Sequence, residues 1–384
     1  MSLSRLSALI SVAAVALSAF AAQAQVAYEG RSPNALVIDY NTGQILFEQN
    51  ADVPLPPASM SKLMTLNMLF EAIDDGRVQL DTTFTVSERA HAMGGSRMFL
   101  ETRDRPTAED LIRGIAVLSG NDATVVVAEG LAGSEEAFAR LATARARQLG
   151  MENTTLVNAS GWPHPEHRMS LRDLATLAQH ILEEHGEYYP YLAEREFTWN
   201  NITQPNRVPL LGAGLGLDGL KTGHTSEAGY ALTGSAVQGN RRVIFVFSGL
   251  DGERERLEEA ERIINWSFRQ FAEYRVTVEG QVLAEADVWM GAQSTVPLVA
   301  PRDHEVLIPV FTEDQITARV AFDSPIPAPI SEGQELARLI VSVPGMADFE
   351  LPLVAGHAVE EGGFVPRMRS AAIVLAGHLG LMIR

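Results

Sequence analysis

The sequence has no cysteine. That excludes a disulfide framework, a thiolate nucleophile and a cysteine-ligated metal. Lysine is almost missing too. It occurs only as Lys62 and Lys221, and every other long basic side chain is arginine. Positive charge is scarce altogether, with a formal net charge of -18 at pH 7. A chain this acidic lacks the basic surface that phosphate backbones require, which argues against nucleic acid as a partner. Beyond the N-terminal segment no run is long and apolar enough to span a bilayer. The G-x-S-x-G elbow of α/β-hydrolases is also absent.

What is present begins with an export signal. "MSLSRLSALISVAAVALSAFAAQAQ" carries one early charge, Arg5, then an apolar run, then small residues ending in Ala-Gln-Ala. This is the pattern of a signal peptide, residues 1–24, cleaved after Ala24. The alternative is an uncleaved anchor. The short run and the small-residue ending favour cleavage.

From Ala35 two alternating runs flank Asn41-Thr42-Gly43, which predicts a hairpin. After Pro-Pro-Ala-Ser, one stripe holds Leu63, Leu66, Phe70 and Ile73, with Met64 and Met68 beside it. That predicts a largely buried helix ended by Asp74-Asp75-Gly76. Amphipathic helices follow, for example over 108–116 and 135–149. "YALTGSAV" and "RRVIFVFSGL" then suggest strands, and 255–274 a last helix. Strands at both ends with helices between them predict an α/β domain whose terminal strands share one sheet.

Past Tyr274, short β-type runs separated by Gly, Pro and Asp predict a small all-β domain, a sandwich, serving as spacer or interaction module. The tail, "FVPRMRSAAIVLAGHLGLMIR", has no acidic residue and gathers Met368, Ala371, Ala372, Leu375, Leu379 and Met382 on one arc. A cationic amphipathic helix of this kind suits an anionic membrane surface, with docking on the protein body as the alternative. The expected organisation is a signal peptide (1–24), a catalytic domain (25–275), a β-sandwich domain (276–363) and an amphipathic anchoring helix (364–384).

The two lysines carry the chemistry. Arginine cannot lose its proton in a protein, whereas a desolvated lysine can. In "SMSK", Ser59 stands at the start of the buried helix and Lys62 follows one turn later, on the same face. This predicts a serine nucleophile with a lysine base, aided by the positive potential of the helix N-terminus. Ser61 points away from Lys62. Lys221 lies in "KTG", where its charge suits a substrate carboxylate or a proton relay. Gly223 allows a substrate backbone to approach, and Thr222 and Thr225 offer hydroxyls. Between the lysines, "LSGND" sets Ser119 and Asn121 two apart, so that a hydroxyl and an amide point the same way.

Ser-x-x-Lys, Ser-x-Asn and Lys-Thr-Gly in this order form a specific trio. With "MGGSRMFLE", "IRGIAVLSGNDA", "NASGWPHPEHRMS" and "LDGLKTGHTSEAGY", the chain resembles the low-molecular-weight penicillin-binding proteins of the peptidase S11 family, which are serine D-alanyl-D-alanine carboxypeptidases. The resemblance runs from about the hairpin into the tail. It implies a β-lactamase/transpeptidase-like catalytic fold, an antiparallel sheet flanked by helices. Ser59 would be acylated by the penultimate D-alanine of a peptidoglycan stem peptide, and by penicillin. Lys62 would be the base, Ser119 and Lys221 would pass a proton to the leaving amine, and Asn121 would hold the peptide. The amides of Ser59 and His224 would form the oxyanion hole. Lys221, Thr222, Gly223, Arg207 and Arg256 would line the carboxylate site. The implied location is the outer face of the inner membrane, in the periplasm.

Trp162 stands where relatives more often have leucine, which bears on substrate preference. A β-lactamase would need a deacylating base. Glu196, four before Asn200, has the spacing but lies too far beyond Ser119. His164 and His167, with a proline between them, suggest a loop rather than a metal site. No cofactor and no metal is expected. The remaining alternatives are a D,D-endopeptidase and a non-catalytic peptidoglycan binder.

Overall fold

A computed structural model describes residues 28–208, 210–364 and 368. The expected signal peptide and nearly all of the expected anchoring helix lie outside these residues. Phe364 and Met368 are described, and both are exposed.

The hairpin predicted around Asn41-Thr42-Gly43 forms from β1 (Asn34–Asp39) and β2 (Ile45–Gln49), paired antiparallel. A helical region follows: α1 (Lys62–Asp74), α2 (Glu88–His91), α3 (Ala108–Ala116), α4 (Asn121–Ala132), α5 (Glu135–Gln148), α6 (Leu171–Glu184) and α7 (Pro190–Ala193). A surface hairpin, β3 (Glu196–Trp199) with β4 (Ile202–Pro205), leads to β5 (Leu217–Thr225), β6 (Gly229–Gln238), β7 (Arg241–Leu250) and α8 (Glu253–Arg269). The main sheet runs in the order β2-β1-β7-β6-β5. All its pairings are antiparallel, and β1 pairs β7, so the two ends of the domain do share a sheet.

The near-continuous apolar run of β7 reflects burial on both faces. Ile244 and Val246 belong to the core shared with the helices, while Phe245 and Phe247 alternate into a second core under α8 with Ala260, Ile263 and Ile264. Helix α1 crosses the first core and is apolar almost all round. Leu63, Met64, Leu66, Leu69 and Phe70 are all fully buried. It ends at the expected Asp-Asp-Gly, with Asp75 as C-cap.

One expected element differs. The last helix stops at Arg269, and Phe271–Thr277 is a strand, β8. The alternation of partly buried Ala272, Tyr274 and Val276 with exposed Glu273 and Arg275, paired to β11 (His304–Pro309), outweighs the helix-compatible sequence before Tyr274. The C-terminal part adds β9 (Val282–Trp289), β10 (Thr295–Val299), β12 (Thr317–Ala321), β13 (Ile326–Pro327), β14 (Glu335–Ser342) and β15 (Phe349–Ala355). These form a sheet in the order β12-β14-β15-β10-β9-β13. Val306 and Ile308 of β11 pack into its core, so the two sheets enclose one interior as a sandwich. Gln44 joins the two parts. Its side chain donates to the Leu307 carbonyl at 2.9 Å and accepts from the Leu307 amide at 2.5 Å.

Candidate active site

Ser59 lies on a single 3-10 turn, Ala58–Ser61, that runs straight into α1. The turn is tightly held. Ala58 has φ +49° and Ser119, across the site, has φ +60°. Such non-glycine residues cost about 1–3 kcal/mol each and persist where the surroundings impose them. Gly161, at φ +79°, packs on the turn so closely that a Cβ would overlap the Ala58 carbonyl.

Lys62 opens α1, one turn from Ser59, and its Nζ stands 2.8 Å from Ser59 Oγ. The amine also donates to the Ser160 carbonyl. It is fully buried. Burial, then the charge of Lys221, holds this amine well below the ordinary lysine range, against a weaker opposing pull from Asp122. Ser61 is engaged elsewhere, donating from Oγ to the Ala58 carbonyl at 3.0 Å.

Ser119 precedes α4, and Asn121 is that helix's first residue; both are buried. Asn121 Nδ2 donates to the Gly94 carbonyl at 2.8 Å, and its amide donates to the Ser96 carbonyl at 2.8 Å. Lys221, Thr222, Gly223 and His224 lie along β5, the edge strand of the sheet. A Cβ on Gly223 would sit 2.9 Å from the Pro57 carbonyl oxygen, so glycine is what lets β5 close on the Ser59 turn.

Lys221 is buried, and its amine is pushed down to about 7 by burial, then by Arg256, then by Arg207. Three cationic groups therefore converge at this end of β5. Arg256 is buried and donates to Glu253 at 2.9 Å. Its guanidinium lies over the Tyr230 ring, which in turn lies 4.0 Å from the His224 ring. Arg207 is exposed and donates to Gln204 at 3.2 Å.

The residues expected from the sequence thus gather at the junction of the Ser59 turn, α1, α4 and β5. Chemically, this is a hydroxyl beside an amine that gives up its proton easily, next to a patch that attracts a carboxylate. Glu196, the conceivable deacylating base, is an exposed residue of the surface hairpin. His164 and His167 belong to a loop in which the His167 amide donates to the His164 carbonyl.

Several supporting residues escaped the sequence reading. Asp122 is buried and accepts the amides of Met98, Leu100 and Ala123. It thereby braces the 94–100 segment against Ser119 and Asn121. Asn158 Oδ1 accepts the amides of Ser160, Gly161 and Trp162, and its Nδ2 returns a bond to the Trp162 carbonyl. It shapes the loop whose Ser160 carbonyl holds Lys62. The signal for both lay in "SGNDA" and "NASGW", where Asx residues favour local side-chain-to-backbone bonds. Trp162, half exposed, packs on Gly94 and Gly95 beside the Asn121 amide.

A family model described as D-alanyl-D-alanine carboxypeptidase, peptidase S11, matches residues 19–251. One described as the C-terminal domain of penicillin-binding protein 5 matches residues 271–361. The chain is 34% identical to D-alanyl-D-alanine carboxypeptidase DacF of Bacillus subtilis, covering 91% of this chain and 92% of that protein. It is 35% identical to DacC of Escherichia coli, covering 91% of this chain and 90% of that one. Among solved structures, penicillin-binding protein 5 of Haemophilus influenzae superposes with a TM-score of 0.76 at 33% identity, covering 86% of this chain and 98% of that one.

Proposed function

The chain belongs to the D-alanyl-D-alanine carboxypeptidase family, and we propose that Ser59, Lys62, Ser119, Asn121 and Lys221 carry its reaction. It is a serine-type carboxypeptidase that removes the terminal D-alanine of a peptidoglycan peptide. One observation carries the residue assignment: a fully buried lysine amine 2.8 Å from a serine hydroxyl at a helix start.

In this course, neutral Lys62 takes the proton of Ser59 as Oγ attacks the carbonyl carbon of the penultimate D-alanine. The amides of Ser59 and His224 stabilise the negative oxygen that develops. The Ser59 proton passes from Lys62 through Ser119 and Lys221 to the nitrogen of the leaving D-alanine, the C–N bond breaks, and Lys62 is neutral again. Neutral Lys62 then takes a proton from water as its oxygen attacks the ester carbonyl, and returns that proton to Ser59 Oγ as the ester C–O bond breaks. Asn121 has one Nδ2 hydrogen committed to Gly94 and one left for a substrate carbonyl. The terminal carboxylate is held by Lys221, Thr222, Arg207 and Arg256. Penicillin carries a carboxylate and an acylating carbonyl, so it enters the same site and acylates Ser59.

Incubation with a peptide ending in D-Ala-D-Ala should release one D-alanine per peptide. Penicillin should leave a covalent adduct that mass spectrometry maps to Ser59 and that Ser59→Ala abolishes. An adduct on Ser61 or Ser119 would remove Ser59 as nucleophile.

The enzyme works in the periplasm, attached peripherally to the inner membrane through residues 364–384. The export signal and the acid-free tail with Arg367, Arg369 and Arg384 support this. Each arginine adds about 1 kcal/mol near anionic lipid. No helix of the described residues is long and apolar enough to cross a membrane. Deletion from Phe364 onward should move the protein to the soluble fraction and leave hydrolysis of soluble peptide intact. Identical partitioning of both forms would reject the anchor.

A further inference from the structure

At the end of α1 remote from Ser59, three metal-ligating side chains meet that the reaction does not use. Glu71 lies in the last turn of α1, His180 on α6, and His185 caps α6. Their donor atoms all lie within 4.8 Å of one another. His180 Nε2 stands 3.8 Å from Glu71 Oε1. The two imidazole rings meet edge to face at 5.3 Å.

The hydrogen bonds around the cluster leave two buried imidazole nitrogens without a partner. His185 Nδ1 lies 2.7 Å from Asp74 Oδ2, and the other Asp74 oxygen accepts from Tyr188 at 2.8 Å. A carboxylate on Nδ1 puts the proton there and leaves Nε2 bare, the arrangement that orients metal-binding histidines. Yet Nε2 of His185 and Nε2 of His180 are both buried and make no hydrogen bond. The His185 side chain is only 5% exposed. Asn67 repeats the pattern one turn back. Its Nδ2 donates to Glu71 Oε1 at 2.8 Å, while its buried Oδ1 has no partner. Buried polar atoms rarely go unpaired, and here two imidazole nitrogens do so beside one carboxylate.

We propose that Glu71, His180 and His185 form a binding site for a divalent transition-metal cation of the zinc class. Two imidazoles and a carboxylate are a ligand set that such ions accept. In tetrahedral coordination neighbouring ligand atoms stand about 3.4 Å apart, and the three donor groups lie within 4.8 Å of one another, so side-chain rotations must draw them together by about 1 Å. Arg145 Nε already donates to Glu71 Oε1 at 2.7 Å. The cation therefore takes the other carboxylate oxygen, with the guanidinium as a competing charge. Bound there, it pins the end of α1 to α6 and stabilises the helix that carries Lys62, without touching the reaction. No local pattern marks this site, because its members come from two helices far apart in the chain.

The test uses full-length, tag-free protein stripped with chelator, probed with Co²⁺ and Zn²⁺ alone. One Co²⁺ per chain should bind with visible d–d absorption, and Zn²⁺ should displace it. Saturating Zn²⁺ should raise Tm by about 5 °C, reversed by EDTA. His180→Gln should weaken binding at least tenfold, while His357→Gln, on the β domain, should leave it unchanged. His185→Gln should act like His180→Gln. Should it misfold through loss of its Asp74 contact, His180→Gln still decides. No Co²⁺ absorption and no Zn²⁺-dependent Tm shift in the parent, or undiminished binding in His180→Gln, would overturn the proposal.

Discussion

Replacing Lys62 by arginine keeps the charge and nearly the length, and should nevertheless stop acylation. The structure explains why. The Lys62 amine is fully buried, touches Ser59 Oγ at 2.8 Å and the Ser160 carbonyl, and is held below its ordinary range chiefly by burial. It reaches the neutral form that accepts a proton. A guanidinium never does so at accessible pH. Loss of a positioned general base typically costs 10²–10⁴ in rate, or about 3–5 kcal/mol of barrier. The arginine also keeps an obligatory charge where Lys62 pairs with no carboxylate among the described residues, only with Ser59 and the Ser160 carbonyl, which costs stability of its own. Lys62→Met separates the two effects, because it removes the base and adds no buried charge. Both variants should therefore acylate with a fluorescent penicillin at least about a hundredfold more slowly than the parent in stopped-flow. Melting curves would check that Lys62→Met remains folded. A rate within tenfold of the parent in folded Lys62→Met would refute Lys62 as the base.

Lys221→Arg should bind penicillin nearly as well as the parent but lose turnover, since the charge survives and the proton relay does not; small, equal effects on both would remove Lys221 from the site. The pH profile of kcat/KM should rise as Lys62 loses its proton and fall as Lys221 loses its own near about 7, the pair titrating as a coupled unit. In Lys221→Arg the falling limb should vanish from whatever rate remains, and a limb that persists unchanged would assign it to another group. Gly161→Ala combines a Cβ at φ +79° with a backbone overlap at Ala58. It should cost about 2–4 kcal/mol, seen as a lower Tm and denaturation midpoint, and an unshifted midpoint would show that the loop yields freely.

How much of this was legible beforehand depends on chain distance. Ser59 and Lys62 are three residues apart on a 3-10 turn that runs directly into α1, so local helical spacing alone places amine against hydroxyl. The hairpin at Asn41-Thr42-Gly43, the buried stripe of α1 and the strand β7 are likewise local patterns that the structure carries unchanged. Scarcity helped as well: with only two lysines in the chain, each had to be explained. The end of α8 at Arg269 is not legible, because the residues before Tyr274 suit a helix locally. Their strand state is set by β11, a partner some thirty residues on. The rest of the site is a matter of tertiary contact. The Ser160 carbonyl reaches Lys62 from 98 residues away, and Asp74 meets His185 across 111. The loss of water around both lysine amines is what lowers their proton affinity, and no sequence pattern contains it. Residue types and local spacing by themselves determined which groups are capable of the chemistry. Only packing decided which of them are dry, which are braced and which are left facing one another, because desolvation and long-range contact exist only once the chain has closed on itself.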